Sequence, residues 1–328
     1  MAIKKWLARN WFLAGLVAAA FLAWLTPGVG SSGGLLRSEI TTKLGVVLIF
    51  FFQGLTLSLK VMKQGLMQWK LHVFVQAFIF VVMPLLALTA LTLTGDLLSH
   101  ELKIGFLLLA ALPTTIATSV AYTGMTRGNV AGAVFNSTTA NMAGIFITPL
   151  WISVWMQTGG ETLPLGRLFL DISLMLLAPL VVGQLCRPLV HTWIDSYKKI
   201  LSTLSSLIII FIVYSAFCNS WQNNIWAAHG TQTAFVAATG ALLFFIAMKS
   251  IVYAGIKLFR FNHENAMAAL FCAPQKTLAA GAPMANLIFA SHSGLGIILL
   301  PLMFYHIFQL FLGGFLVNMI NKKTTAGN

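Results

Sequence analysis

The chain has 328 residues, of which 58% are hydrophobic and only 8% are charged; its mean hydropathy is +0.87. Soluble proteins carry roughly 25% charged residues, so this composition excludes soluble enzymes, nucleic-acid-binding domains and disordered proteins. No nucleic acid is expected as a partner. The apolar runs are continuous rather than alternating, which favours an all-α polytopic membrane protein in a lipid bilayer over a β-barrel.

Ten apolar segments are long enough to span a membrane, for which a helix needs roughly 17–25 residues. The linkers are short, which predicts a single membrane domain over residues 1–328. The first segment resembles a signal peptide, but no A-x-A site follows it, so we expect a retained helix. The predicted segments cover residues 8–26, 40–58, 71–94, 104–125, 130–156, 167–186, 201–219, 232–256, 264–289 and 294–319.

The 20 Lys and Arg residues are unevenly distributed between the predicted loops. Most of them, from Lys4, Lys5 and Arg9 onwards, fall on the side that is cytoplasmic if the N-terminus is inside. The positive-inside rule therefore places both termini in the cytoplasm. The net charge of +13 is therefore explained mainly by membrane orientation and does not indicate a ligand-binding surface.

Two segments carry a proline followed by polar residues at matching places in the two halves of the chain. Pro113 begins Pro-Thr-Thr-Ile-Ala-Thr-Ser in the fourth segment, and Pro274 begins Pro-Gln-Lys-Thr in the ninth. Five segments per half would make residues 1–156 and 157–328 inverted repeats, with interrupted helices forming a transporter site. Two ordinary proline kinks are the alternative.

Ionisable residues at membrane depth are a second signal, because burying them is costly and often functional. Lys276 falls at the centre of the ninth segment and His306 at the centre of the tenth, whereas no acidic residue lies at a predicted midplane. Lys249 lies nearer a membrane surface and is predicted to extend towards it. A polar cluster, residues 136–141, lies in the fifth segment beside the fourth.

Enzyme motifs are absent: the sequence has no H-E-x-x-H, G-x-S-x-G or Walker-type glycine loop. The three cysteines have no metal-ligand spacing. We therefore predict that the protein is not an enzyme and has neither a cofactor nor a resident metal.

The sequence resembles the bile acid:sodium symporter family (solute carrier family 10), in particular its member-seven-like bacterial branch, over nearly the whole chain. Each motif alone is weak, but their order and spacing together are specific. The motifs are residues 54–57, Gln76, 113–119, 127–129, 136–137, 148–149, 179–184, 274–276 and 301–309.

The resemblance implies ten transmembrane helices in two inverted five-helix repeats, with broken helices 4 and 9 that cross. A panel domain (helices 1, 2, 6 and 7) moves against a core domain (helices 3–5 and 8–10). In sodium-coupled members, one sodium site uses positions similar to Thr118, Ser119 and Ser137 together with a glutamate on helix 9. The other uses positions similar to Gln76 and Gln275, the same glutamate and helix-9 carbonyls.

This sequence departs from that pattern at two positions. Phe271 stands where the shared glutamate belongs, and Lys276 stands where the family usually has asparagine. A sodium ion would face a fixed ammonium at short range in a low dielectric. We therefore predict a secondary carrier for a small organic, anionic solute in the bacterial inner membrane. The two departures argue against sodium coupling; coupling to protons would follow if Lys276 titrates, and coupling to sodium is the alternative. A regulatory protein of calcium homeostasis is the second hypothesis.

Lys276 is predicted to substitute for the bound cation. Its partners would be side-chain oxygens of the candidate site and carbonyls freed by the prolines. The candidate substrate- or ion-binding residues are Gln76, Thr114, Thr115, Thr118, Ser119, Asn136, Ser137, Gln275, Lys276, Thr277 and His306.

Overall fold

The computed structural model describes residues 11–56, 67–158, 165–225, 232–289 and 292–326. Within these ranges the regular secondary structure is entirely helical, and no residue of them lies in a strand. The basic residues Lys4, Lys5, Arg9, Lys60 and Lys63, on which part of the orientation prediction depends, lie outside the described residues.

The helices follow one another with short connections, among them single turns at Pro27–Gly30 and Gly95–Leu97. Their bounds are α1 Trp11–Leu25, α2 Ser38–Thr56, α3 Trp69–Leu93, α4 His100–Ala111, α5 Ala117–Met125, α6 Val130–Thr158, α7 Leu165–Gln222, α8 Gln232–Leu258, α9 His263–Cys272, α10 Leu278–Ile288 and α11 Leu295–Ala326.

Six stretches of helix among the described residues are long and apolar enough to cross a membrane. They lie in α2, α3, α6, α8, α11 and the second part of α7, and shorter apolar helices are present at Trp11–Leu25, Leu174–Val190 and Leu278–Ile288. The chain is therefore a helical membrane protein, as its composition predicts.

The linker predicted between the sixth and seventh segments is helical instead. One element, α7, covers both segments and continues through Pro179 and Pro188. This element is not straight: Leu180 and Ile208 lie against Gly54 and Gly45, which are about 13 Å apart along α2, whereas residues 180–208 as a straight helix would span about 42 Å. It therefore bends between Leu180 and Ile208, in the stretch that contains Pro188. At about 1.5 Å per residue α7 exceeds a single crossing of about 30 Å.

The chain forms two compact units. Unit one consists of Met1–Leu57, Pro164–Ala234 and Ala282–Leu299, and unit two of Ser58–Leu163, Phe235–Gly281 and Leu300–Asn328. Within unit one, α7 packs closely on α2: a Cβ atom added to Gly54 would lie 2.1 Å from the carbonyl oxygen of Leu180. Glycine is required there because the two backbones are in contact.

Both predicted interruptions are present, and both lie in unit two. Helical conformation ends after Ala111 and resumes at Ala117, and it ends after Cys272 and resumes at Leu278. We call residues 112–116 the first interruption and residues 273–277 the second. Both are enclosed by the apolar core of unit two, and residues 107–112 and 271–276 are almost completely buried.

Candidate functional site

The two interruptions contact each other directly. The backbone N–H of Thr277 donates to the carbonyl oxygen of Pro113 at 3.1 Å. The side-chain oxygen of Gln275 accepts hydrogen bonds from the hydroxyls of Thr118 at 2.8 Å and Ser119 at 3.0 Å. The prolines thus divide two helices at places that meet inside one unit.

The first interruption leaves the carbonyls at the end of α4 without helical partners. Five consecutive carbonyl oxygens, from Ala110 to Thr114, nevertheless all accept a hydrogen bond from elsewhere in unit two, as buried carbonyls must. In chain order their donors are Lys276 Nζ, Thr148 Oγ1, Lys276 Nζ, the backbone N–H of Thr277 and Asn141 Nδ2.

Lys276 is completely buried. Its ammonium donates to the carbonyl oxygens of Ala110 at 2.7 Å and Leu112 at 2.5 Å, and a longer contact of 3.5 Å reaches the carbonyl oxygen of Ile79. A cation at this position also interacts favourably with the negative, C-terminal end of the α4 dipole. The Lys276 side chain is therefore held by main-chain carbonyl oxygens of α3 and of the end of α4.

The third oxygen comes from an irregular turn of α3. Residues 78–82 form a π-helical turn in which the N–H of Met83 donates to the carbonyl of Phe78. Pro84 cannot donate to the carbonyl of Phe80, which instead accepts from the indole N–H of Trp151 at 2.8 Å. The turn and the proline rearrange the α3 backbone beside Lys276, as π-helical turns often do at functional sites.

Lys249 is the counterpart of Lys276 at the second interruption. Its ammonium donates to the carbonyl oxygen of Leu270, in the last turn of α9, at 2.7 Å. It also lies 4.6 Å from the ring centroid of the fully buried Phe271. The prediction that Lys249 extends to the membrane surface is therefore wrong, because orphan carbonyls at a helix C-terminus attract its charge inward.

The expected side-chain partners of Lys276 are bound elsewhere, so this part of the prediction is wrong, whereas the expected role of freed carbonyls is confirmed. Thr118 and Ser119 donate to Gln275, and the hydroxyls of Thr114 and Ser119 are 3.2 Å apart. Within the described residues, neither Lys249 nor Lys276 forms an ion pair with a carboxylate.

The other candidate residues divide into smaller groups. Gln76 donates through Nε2 to the carbonyl oxygen of Asn136 at 2.9 Å, and the hydroxyl of Ser137 lies 3.8 Å from the sulfur of Cys272. The hydroxyl of Thr277 lies 3.4 Å from the N–H of Ala280, which places it at the start of α10. Thr115 is buried at the first interruption.

Two atoms of the candidate residues are buried and have no hydrogen-bond partner among the described residues: Gln275 Nε2, a donor, and Gln76 Oε1, an acceptor. Such groups destabilise a protein unless something binds them. They mark places in unit two where a bound solute or ion could supply the missing partner.

Sequence reasoning missed the contribution of Gln309 on α11. Its side chain accepts from the N–H of Lys276 and donates to the carbonyl of Lys276, both at 2.8 Å. The same Nε2 lies 2.8 Å from Nδ1 of His306, which contacts Gln309 rather than the Lys276 ammonium. Tyr305 donates to the carbonyl oxygen of Pro274. The sequence does contain a signal for this contact: Tyr305, His306 and Gln309 are three polar residues within two turns of the apolar helix α11.

The Tyr305 hydroxyl gives a test of how α11 supports the second interruption. Tyr305→Phe should lower the free energy of unfolding by about 1–3 kcal/mol, because the buried carbonyl of Pro274 loses its donor. Tyr253→Phe is the matched control: this tyrosine is 53% exposed, so the change should be less than about 0.5 kcal/mol. Thermal unfolding of the purified variants measures both, and equal midpoints would contradict the assigned role.

Comparison with known proteins finds relatives over nearly the whole chain. The chain matches the SBF-like CPA transporter family over residues 10–322. It is 33% identical over 328 residues to sodium/bile acid cotransporter 7 of Danio rerio, covering 95% of this chain and 94% of that one.

Two further relatives also match over most of their length. Sodium/bile acid cotransporter 7-B of Xenopus laevis is 31% identical, with 98% of this chain and 94% of that one covered. YfeH of Escherichia coli (strain K12) is 32% identical over 87% of this chain and 86% of its own. The resemblance drawn from the motifs is thus confirmed, and the family is one of transporters rather than enzymes. The chain belongs to the SBF-like CPA transporter family.

Proposed function

We propose that the protein carries a small organic anion across the membrane by alternating access, and that fixed lysine ammonium groups replace the sodium ions of the sodium-coupled pattern. The observation that carries this proposal is the position of Lys276. Its ammonium lies among carbonyl oxygens freed by an interrupted helix, where its partners are of the kind that coordinates a metal cation.

Lys249 extends the proposal to a second cation. Each interruption follows a short helix, α4 or α9, and a lysine ammonium binds carbonyl oxygens at the C-terminal end of each. This parallel supports two inverted repeats of five helices, with ten crossings in all. In the numbering of the ten predicted segments, not of α1–α11, the compact units support a panel domain and a core domain. The panel segments 1, 2, 6 and 7 lie in unit one, and the core segments 3–5 and 8–10 lie largely in unit two.

The preference for an anion rests on charge and on unused donors. Two ammonium groups lie in the interior of unit two without a carboxylate partner among the described residues. The unpartnered Nε2 of Gln275 can donate to an anionic oxygen. The N-termini of α5 and α10 follow the interruptions and add partial positive charge there.

The names of the relatives favour a carrier over a regulator of calcium homeostasis, since they describe cotransporters. We propose the bacterial inner membrane as the location, because the chain has a bacterial relative in Escherichia coli. We propose that both termini are cytoplasmic on the basis of the positive-inside rule. Cysteine labelling from either side of the membrane, at the two termini, would test this orientation.

Reconstituted protein tests the proposal directly. Candidate anions are first ranked by the rise in thermal midpoint that they cause, since a ligand that binds the folded state stabilises it by mass action. A labelled form of the best anion is then used in counterflow with proteoliposomes. We expect accumulation that needs neither a sodium gradient nor internal sodium. A protein that binds no anion, or exchanges none, would contradict the carrier.

Sodium should have no specific effect on the wild-type protein. With Lys249 and Lys276 bound to the freed carbonyls, a sodium ion meets no carboxylate at the candidate site, and the unpartnered Oε1 of Gln76 alone does not replace its hydration. The thermal midpoint in NaCl should equal that in KCl or choline chloride of the same ionic strength to within about 1 °C. A saturable rise found only with sodium would refute the substitution by lysine.

A further inference from the structure

A polar cavity of about 320 Å³ lies in unit one, among the ends of its helices. Its walls come from the start of α2, the last turns of α7, the end of α10 and the start of α11. Leu295 is the one apolar side chain among the described residues that line it. Its size is at the lower end of the roughly 300–1,000 Å³ typical of small-molecule sites, and it shares no residue with the candidate site in unit two.

One buried hydroxyl in this cavity has no partner. The Ser38 side chain is only 2% exposed, and its Oγ atom forms no hydrogen bond within the described part of the chain. The neighbouring Thr42 hydroxyl, by contrast, donates to the carbonyl of Ser38 at 2.5 Å and accepts from Asn286 at 3.2 Å. A buried hydroxyl without a partner is costly, so Ser38 points to a bound polar molecule.

The charges of the cavity have opposite signs and lie close together. Glu39 and Lys43 are one helical turn apart on α2, and both line the cavity. The exposed Glu39 carboxylate accepts from the N–H of Gly33 at 3.1 Å and from its own N–H, and it also interacts with the charge of Arg37. A carboxylate has about four lone-pair sites, so it can still accept from a ligand ammonium. The Lys43 ammonium forms no ion pair within the described residues, so each charge can meet its opposite on a ligand.

We infer that this cavity binds a small zwitterion of the α-amino acid type. The ligand ammonium would pair with Glu39 and its carboxylate with Lys43, while Ser38 and Asn286 bind its polar atoms. A simple anion would be repelled by Glu39 and a simple cation by Lys43. The cavity lies on the face that the positive-inside rule assigns to the outside, so the ligand would enter from the periplasm.

Calorimetry on the full-length protein in nanodiscs tests the inference with glycine, L-serine and L-asparagine as probes. Ethanolamine and glycolate are the controls, because each keeps one charged group of serine and lacks the other. We expect saturable binding of at least one zwitterion, about tenfold tighter than either control, since each control loses a charged contact. Binding of none of the three zwitterions, or equal binding of the controls, overturns the inference.

Two variants distinguish a loss of zwitterion binding from a general loss of protein stability. Ser38→Ala should weaken binding about fivefold without lowering the thermal midpoint, because the hydroxyl has no partner to lose. Glu39→Gln should weaken zwitterion binding about tenfold while leaving glycolate unaffected or slightly stronger. Ser250→Ala, an exposed serine on α8, is the matched control. Unchanged zwitterion affinity in both Ser38→Ala and Glu39→Gln would overturn this location.

Discussion

Lys276→Met should abolish transport and should lower the free energy of unfolding by about 2–4 kcal/mol. Methionine keeps the length of the side chain but provides no donor, so the carbonyls of Ala110 and Leu112 remain buried without a partner. Relief from burying an ammonium offsets part of this loss. The measurements are the thermal midpoint of the purified variant and counterflow in proteoliposomes.

The matched control is Lys257→Met, which removes an ammonium from the last turn of α8, where it lies 4.5 Å from the Tyr253 ring. Its effect should stay below about 1 kcal/mol. If Lys276→Met melts and transports like the wild type, Lys276 is not a substitute for a cation. The pH profile of transport adds a second result: a permanently charged Lys276 predicts flat activity near neutral pH, and proton coupling predicts a titration.

Restoring the sodium-coupled pattern at two positions alone should not restore sodium dependence. In Phe271→Glu with Lys276→Asn, the new carboxylate would lie beside the Lys249 ammonium, which is 4.6 Å from the centroid of the present Phe271 ring. The two charges would form an internal ion pair, and sodium would have no unpaired carboxylate to bind. The melting temperature of this double variant should be the same in NaCl and KCl.

Adding Lys249→Met to that double variant should produce a sodium-dependent protein. The carboxylate at position 271 then has no fixed cation, and a buried unpaired charge costs several kcal/mol. Sodium at about 100 times its dissociation constant would raise the free energy of unfolding by about 2.7 kcal/mol. This corresponds to a rise of several degrees in the thermal midpoint. The same triple variant with Gln instead of Glu at position 271 is the control. A sodium effect that is equal in this control would contradict the role assigned to Lys249.

The sequence determined the class of protein, the places where two helices are interrupted and the family. Hydrophobic composition decides the membrane environment because too few charges exist for a soluble surface. The interruptions at Pro113 and Pro274 are predicted because polar residues follow each proline, and proline has no N–H to donate. Proline alone does not decide them, since α6, α7 and α11 continue through Pro149, Pro179 and Pro301. The sequence also predicts that Lys276 is a buried cation bound by hydroxyl, amide and carbonyl dipoles, since no acidic residue reaches its depth; of these, the carbonyls are its partners.

Only the tertiary structure decided which oxygens each ammonium binds. The carbonyls of Ala110 and Leu112 are identified by the contact of the two interruptions, and that of Ile79 by a π-helical turn with no clear sequence signal. The inward direction of Lys249 and the bidentate contact of Gln309 with Lys276 were likewise not predicted. The physical reason is that main-chain oxygens are the same for every residue type. Their availability depends on where hydrogen bonding of the helix stops and which side chain packs there, and the composition of a segment records neither.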